Sequence, residues 1–373
     1  MRIVVAPQEF KGTLTAQEAA EAMAEGARRA LPDATVDVLP LADGGPGTVS
    51  AIVAATDGEL RKTAVTGPMG GAVEAKWGLL PDGTAVIEMS AAAGLVLVPE
   101  EEREPRLATT FGVGELILAA LDAGSRRIVI GLGGSATNDG GAGMAQALGV
   151  RLLDAEGMDL PDGGGQLGRL DRIDAAGLDP RIAECKIIGA TDVRNPLCGP
   201  KGASLLYGPQ KGATPETARE LDSALKKYAT IIQRDLKKSV ADIEGAGSAG
   251  GLGAGLLAFL GAELQPGFEV VADAIGFRKR IRGASVVVTG EGRLDEQTGY
   301  GKTVSGIISM AAAANVPVLV IPGSLGPGWE GLQTYVRAIE PVIGAVLSEE
   351  HAMRNPARSL TATVQRTLTG WQG

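Results

Sequence analysis

Residues 131–143 read GLGGSATNDGGAG, between the apolar run RRIVI (126–130) and the helical-looking MAQALG (144–149). A short β-branched run that ends in glycine and passes into a helix is the strand-to-helix junction of a parallel sheet. The same pattern recurs along the chain. Ile3–Val5, Thr35–Leu39, Lys186–Ile188, Val286–Thr289 and Val318–Ile321 are apolar or β-branched runs. Most lack polar alternation, as strands covered on both faces do. Helix-period stretches such as AQEAAEAMAEGARRAL (16–31) and TTFGVGELILAALDAG (109–124) lie between them. The expected fold is α/β, with a Rossmann- or flavodoxin-like parallel sheet.

Two regions break the rhythm. Residues 58–105 carry short alternating segments separated by Gly and Pro, the pattern of an antiparallel meander. Residues 151–282 mix turns, a charged helix (ATPETARELDSALKKYATIIQRDLKK) and a Gly/Ala-rich helix (GSAGGLGAGLLAFLGAEL). The chain of 373 residues is long for one core. The expected division is therefore a discontinuous parallel domain of residues 1–57, 106–150 and 283–373, with 58–105 and 151–282 as an inserted mixed α/β domain.

Composition removes several function classes. Aromatics are 3% and the net charge is −9, which disfavours a nucleic-acid partner. Cys185 and Cys198 are the only cysteines, too few for a disulfide framework. No residue from Thr303 to Trp329 is charged, but Asn315, Pro317 and Pro322 interrupt that stretch. It reads as a helix and a buried strand, not a membrane span. The start MRIVVAPQEF has no secretory pattern, and a cytoplasmic protein is expected. His351 is the single histidine, so acid–base work falls to carboxylates, lysine or water.

Ligands of open parallel sheets bind outside the carboxyl ends of the strands. The segments there are APQEFKGTL (6–14), PLADGGPGT (40–48), GLGGSATNDGG (131–141), GATDVRNPLCGP (189–200) and TGEGRLDEQTG (289–299). Each is a small-residue loop with charged side chains. Glycine lets the backbone approach a ligand, and a following helix adds its positive dipole end, which together suit phosphate. For residues 131–143 the alternative is that Asn138 or Asp139 only caps the helix. Two near-matches compete. Gly131, Gly133 and Ala136 fit G-x-G-x-x-A, with Asp154 downstream, but VRLLDAEG reads as a hairpin. GYGKT (299–303) lacks the first glycine of a phosphate-binding loop, because Glu296 stands there.

The segments GGSATNDGGAGMAQALG (133–149), TDVRNPLCGPKGA (191–203), GPQKGA (208–213), GSAGGLGAGLLAFLGA (247–262) and TGEGRLDEQT (289–298) occur in an order that resembles the type I glycerate kinase family. The resemblance covers essentially the whole chain. It implies two α/β domains with the active site between them, ATP and Mg²⁺ as cofactors, D-glycerate as substrate and 2-phosphoglycerate as product. The chain departs from the family's D-S-F-K at Gln8 and Glu9, and from A-D-G-G-E-G-T at Pro46.

Phosphoryl transfer needs alignment, charge neutralisation and a base. Asp192 matches the family's catalytic aspartate; its other reading is a turn-closing acid before Pro196. Lys11 and Arg293 are the expected cations at the carboxylate or phosphate. Gly133, Gly134, Ser135, Thr137, Asn138, Asp43 and Gly290 are expected at substrate or phosphate, and Asp139, Glu291 and Asp295 at Mg²⁺. Arg293 could instead pair with Glu291 or Asp295. Transfer to the 3-hydroxyl or to a related hydroxy acid, a nicotinamide oxidoreductase, and a non-catalytic metabolite-binding protein are the alternatives. Monomer and homodimer both remain open.

Overall fold

The computed structural model describes residues 1–296, 303–344 and 348–371. The chain divides into two compact units. One comprises Met1–Asp43, Ser50–Thr56 and Phe268–Gly373, the other Gly44–Val49 and Asp57–Gly267.

The first unit is built on a five-stranded parallel sheet. Its order is Thr35–Val38, Arg2–Val5, Val286–Thr289, Val318–Val320 and Ala338–Ile339. In chain order this is 2-1-3-4-5, the flavodoxin winding. Ile3, Val4, Val5, Val286, Val287 and Val288 are wholly buried, which explains their unbroken apolar pattern. The helix Ala16–Ala30 starts at a capping box, in which Thr15 and Glu18 satisfy each other's backbone N–H groups. The helix Pro356–Thr369 packs on it, with Thr361 Oγ1 donating to the Ala22 carbonyl at 2.9 Å. The uncharged stretch forms the helix Thr303–Ala313 and the buried strand Val318–Val320. No helix among the described residues is long and apolar enough to cross a membrane.

The second unit holds a six-stranded mixed sheet. Glu263–Gln265, Lys186–Ala190, Arg127–Gly131 and Ala85–Glu88 run parallel, and Ala72–Leu79 and Glu59–Thr66 continue it antiparallel. The helix Phe111–Asp122 places Val113, Leu116 and Ile117 in one core with Ile128 and Ile130.

Three expectations change here. Residues 106–150 belong to this second unit and not to the first, because the strand Arg127–Gly131 pairs with Ala85–Glu88 on one side and with Lys186–Ala190 on the other. A buried parallel strand has the same apolar signature in either sheet, so its pattern does not say which sheet it joins. The expected boundary at 282 moves to 267, because Phe268 lies against Gly306 of the helix Thr303–Ala313. The segment from Gly247 is also no continuous helix. Ala249, Gly250 and Gly251 are left-handed inside Ser248–Gly255, and Leu256–Leu260 is wound as a π-helix. A Cβ on Gly250 would sit 1.9 Å from the Thr137 carbonyl oxygen, so the backbone itself closes over residues 137–141.

Candidate active site

In the first unit the strand order reverses between Arg2–Val5 and Val286–Thr289, and the crevice outside their carboxyl ends is the expected ligand position. The loops after these two strands meet there. Ala6 and Gln8 donate backbone N–H bonds to Val288 and Gly290. A cavity of about 400 Å³ opens at this point, lined by Lys11, Arg293, Asp43, Glu291, Gln8 and Glu9, with Phe10, Val342, Ile343, Met353 and Leu360 forming apolar wall. Four of the expected site residues, Lys11, Asp43, Glu291 and Arg293, thus share one cavity.

Its electrostatics are mixed. Gln8 Nε2 donates to Asp43 Oδ2 at 2.8 Å, so the amide at a position where the family has an acid steadies the neighbouring one. Burial pushes the Glu9 carboxyl up, Asp43 pushes it further, and Lys11 opposes both. Arg293 lies 3.8 Å from Asp295 and its side chain is 62% exposed, so this pairing leaves most of the guanidinium open to solvent. Gly290 does not face the cavity in the expected role. It is buried, and an added Cβ would lie 2.0 Å from the Ile321 carbonyl oxygen, so it is glycine for packing.

In the second unit the carboxyl ends of Ala85–Glu88, Arg127–Gly131 and Lys186–Ala190 form another edge. Here the glycines of residues 44–47 and 131–134 interlock backbone to backbone. A Cβ on Gly131 would meet the Gly44 oxygen at 2.4 Å, and one on Gly44 would meet the Ala190 oxygen at 2.8 Å. Gly133 N–H donates to Gly44 O at 3.2 Å. Gly134 is exposed and Gly133 half-exposed, with Ser135 next to them. Asp192 is exposed, and its Oδ1 accepts from Gly267 N–H at 2.8 Å. This partner is 75 residues away, so the carboxylate is fixed from outside its own loop.

Thr137, Asn138 and Asp139 depart from expectation. All three are fully buried. Asn138 Nδ2 donates to Ser204 Oγ at 2.8 Å. Asp139 accepts from Thr110 N and Oγ1, Gly141 N and Gly143 N at 2.8 to 3.2 Å. Burial raises its proton affinity, and those donors oppose the shift. Four donors occupy a carboxylate's acceptor sites, so Asp139 clamps the loop and is not a Mg²⁺ ligand here. The helix then starts at Ala142 with the left-handed Gly141 at the N-cap position, and Asp139 caps the first turn from two residues upstream by accepting from Gly143 N–H. Among the described residues no three acids, cysteines or histidines converge on a metal position. Asp139→Asn is expected to cost about 3 kcal/mol of stability, since an amide N–H₂ would face backbone donors. Thermal unfolding checks this; a wild-type Tm with altered Mg²⁺ dependence would return Asp139 to the metal.

The dinucleotide near-match fails on geometry. Gly131, Gly133 and Ala136 open no helix, and Asp154 closes a turn by accepting from Glu156 and Met158 N–H. The GYGKT near-match falls outside the described residues except for Thr303.

Two polar residues were not among the expected site residues. Glu88 ends a central strand, and Val49 N–H donates to its Oε1 at 2.7 Å, anchoring residues 44–49. Burial pushes its carboxyl up. Lys211, within GPQKGA, is 2% exposed and bonds Ser135 and Thr137. A polar residue closing an apolar run, and a lysine set among small residues, were the available signals.

The model of the glycerate kinase family matches residues 3–372. The chain belongs to the glycerate kinase family. It is 51% identical to a glycerate kinase of Halalkalibacterium halodurans over 94% of this chain and 93% of that one. It is 52% identical to a glycerate 2-kinase of Escherichia coli K12, over 87% and 86%. The crystal structure of a Salmonella typhimurium LT2 protein assigned as glycerate kinase 2 superposes with a TM-score of 0.89 at 48% identity, covering 99% of this chain and 97% of that one. This glycerate kinase family member is an α/β phosphotransferase, and kinase chemistry makes ATP the phosphoryl donor.

Proposed function

We propose that the protein transfers the γ-phosphoryl group of ATP to the 2-hydroxyl of D-glycerate. The observation that carries this is the meeting of Lys11 and Arg293 in one cavity at the sheet's switch point, beside Asp43 and Glu291. Asp192 takes the hydroxyl proton, the freed oxygen attacks the γ-phosphorus, and the bond to the β–γ bridging oxygen breaks to release ADP. Asp192 suits this role because it is exposed while one oxygen is held by Gly267 N–H. Lys11 and Arg293 hold the phosphate and the substrate carboxylate, for which a guanidinium fork is well shaped. Gly134 and Ser135 offer backbone and hydroxyl donors to an anionic oxygen, while Gly133, whose N–H is bonded to Gly44 O, shapes the turn.

The residues fit Mg²⁺ in the way nucleotide-bound magnesium is commonly held, by one or two carboxylates with phosphates and water. Asp43 and Glu291, which line the cavity, are the carboxylates that would do so. When bound, the ion offsets phosphate charge. D-glycerate and ATP incubated with the enzyme are expected to give a product heavier by one phosphoryl group, with phosphorus coupling at C2 in NMR. Coupling at C3 would assign the other hydroxyl, and no phosphorylated product would overturn the reading.

A further inference from the structure

Lys211 ends the short 3-10 turn Pro209–Lys211, and its Nζ lies 2.7 Å from the Thr137 carbonyl oxygen and 2.8 Å from Ser135 Oγ. The carbonyl only accepts, so one N–H is committed to Thr137 in either protonation state. The serine hydroxyl both donates and accepts, so its bond with Nζ can run in two directions. An ammonium has no lone pair and must donate to Ser135 Oγ, which leaves the hydroxyl proton for another acceptor. A neutral amine can take that hydroxyl hydrogen bond itself. Burial pushes the lysine down to about 7, and Asp139 partly opposes the shift. Both states are therefore accessible near neutral pH. Ser135 adjoins the exposed Gly134 at the end of the strand Arg127–Gly131.

We propose that Lys211 is a positioning residue whose protonation sets the direction of the Ser135 hydroxyl, so that an anionic oxygen bound at the Gly133–Ser135 turn draws a proton onto Lys211. This rests on the reading above, in which that turn faces a substrate oxygen. The other ionisable groups around it are accounted for. Asp139 lies on the same loop, and Tyr228 of the helix Pro215–Leu236 is kept neutral by burial. Asp162 is pushed up by burial and by Asp139. Arg103 lies against Gly212, and its guanidinium donates to the Gln210 carbonyl at 3.4 Å. All four persist in the variants below, so a difference between variants reports the Lys211–Ser135 pair.

The test is calorimetric titration of the full-length enzyme at pH 7.5 with D-glycerate and, separately, with MgADP, in buffers of different ionisation enthalpy. Wild type is expected to take up a fraction of a proton with one of these two ligands. Lys211→Met and Ser135→Ala are expected to lose that uptake. Ser135→Ala keeps the lysine and removes only a hydroxyl, so it remains informative if Lys211→Met does not fold. In kinetics, kcat/KM of wild type falls as pH rises through neutrality, because the ammonium state is the binding-competent one. Ser135→Ala flattens that fall and raises the KM for the same ligand about tenfold, the loss of one hydrogen bond to a charged group. Equal proton counts in wild type and Ser135→Ala, or no uptake with either ligand, would overturn the proposal. The proton count is taken without turnover, so it fails separately from the kinase reading, which fails only if wild type forms no phosphorylated product.

Discussion

Asp192→Asn is expected to lower kcat by about 10² to 10⁴-fold, the range supplied by a positioned general base, with the KM for ATP little changed. The substitution is nearly isosteric. The amide oxygen can still accept from Gly267 N–H, as Oδ1 does at 2.8 Å, so the loop keeps its anchor. What disappears is the capacity to take the hydroxyl proton. Steady-state kinetics with D-glycerate as the varied substrate, paired with a thermal melt, separates chemistry from folding. Turnover within a few-fold of wild type would move the base elsewhere and leave Asp192 as a brace between its loop and Gly267.

Lys11→Met is expected to reduce kcat/KM by about 10² to 10³-fold, the scale of losing one preorganised charge-stabilising group. Methionine retains the apolar stem beside Phe10 and Leu14 in the cavity wall, so packing changes little. Lys11 opposes the upward push that burial and Asp43 exert on Glu9. Without it Glu9 holds its proton to higher pH, so any acid limb of the rate profile that belongs to Glu9 shifts upward in the variant. A pH profile of kcat/KM reads both effects. A variant with wild-type efficiency would place Lys11 outside the phosphate path.

Much of the first sheet was readable because period and placement agree. Ile3–Val5 and Val286–Val288 are short apolar runs, each followed by glycine, proline or charge, and each is a central strand with a ligand-edge loop. The partition between units was less readable. Arg127–Gly131 has the same composition as the strands of the first sheet, and only long-range pairing assigns it to the second. Within the site, charged residues were more legible than glycines. Lys11, Asp43, Glu291 and Arg293 converge, whereas Asn138 and Asp139 are buried and bonded to Ser204 and Thr110. A sequence shows that Thr137, Asn138 and Asp139 are polar, but not that Gly250 covers them. Lys211 was hidden for the converse reason, since an isolated lysine is by default a surface charge and here it is enclosed.

The order of strands along the polypeptide also has a consequence for biosynthesis. Residues 57–267 supply nearly all of the second unit, so it can be completed while the ribosome is still translating the final third. Arg2–Val5 and Thr35–Val38 can pair with each other early, but the other edge of Arg2–Val5 has to wait for Val286–Thr289. Until that strand emerges, the Ile3–Val5 edge is an unpaired hydrophobic template, and it is at this stage of synthesis that a chaperone has most to protect.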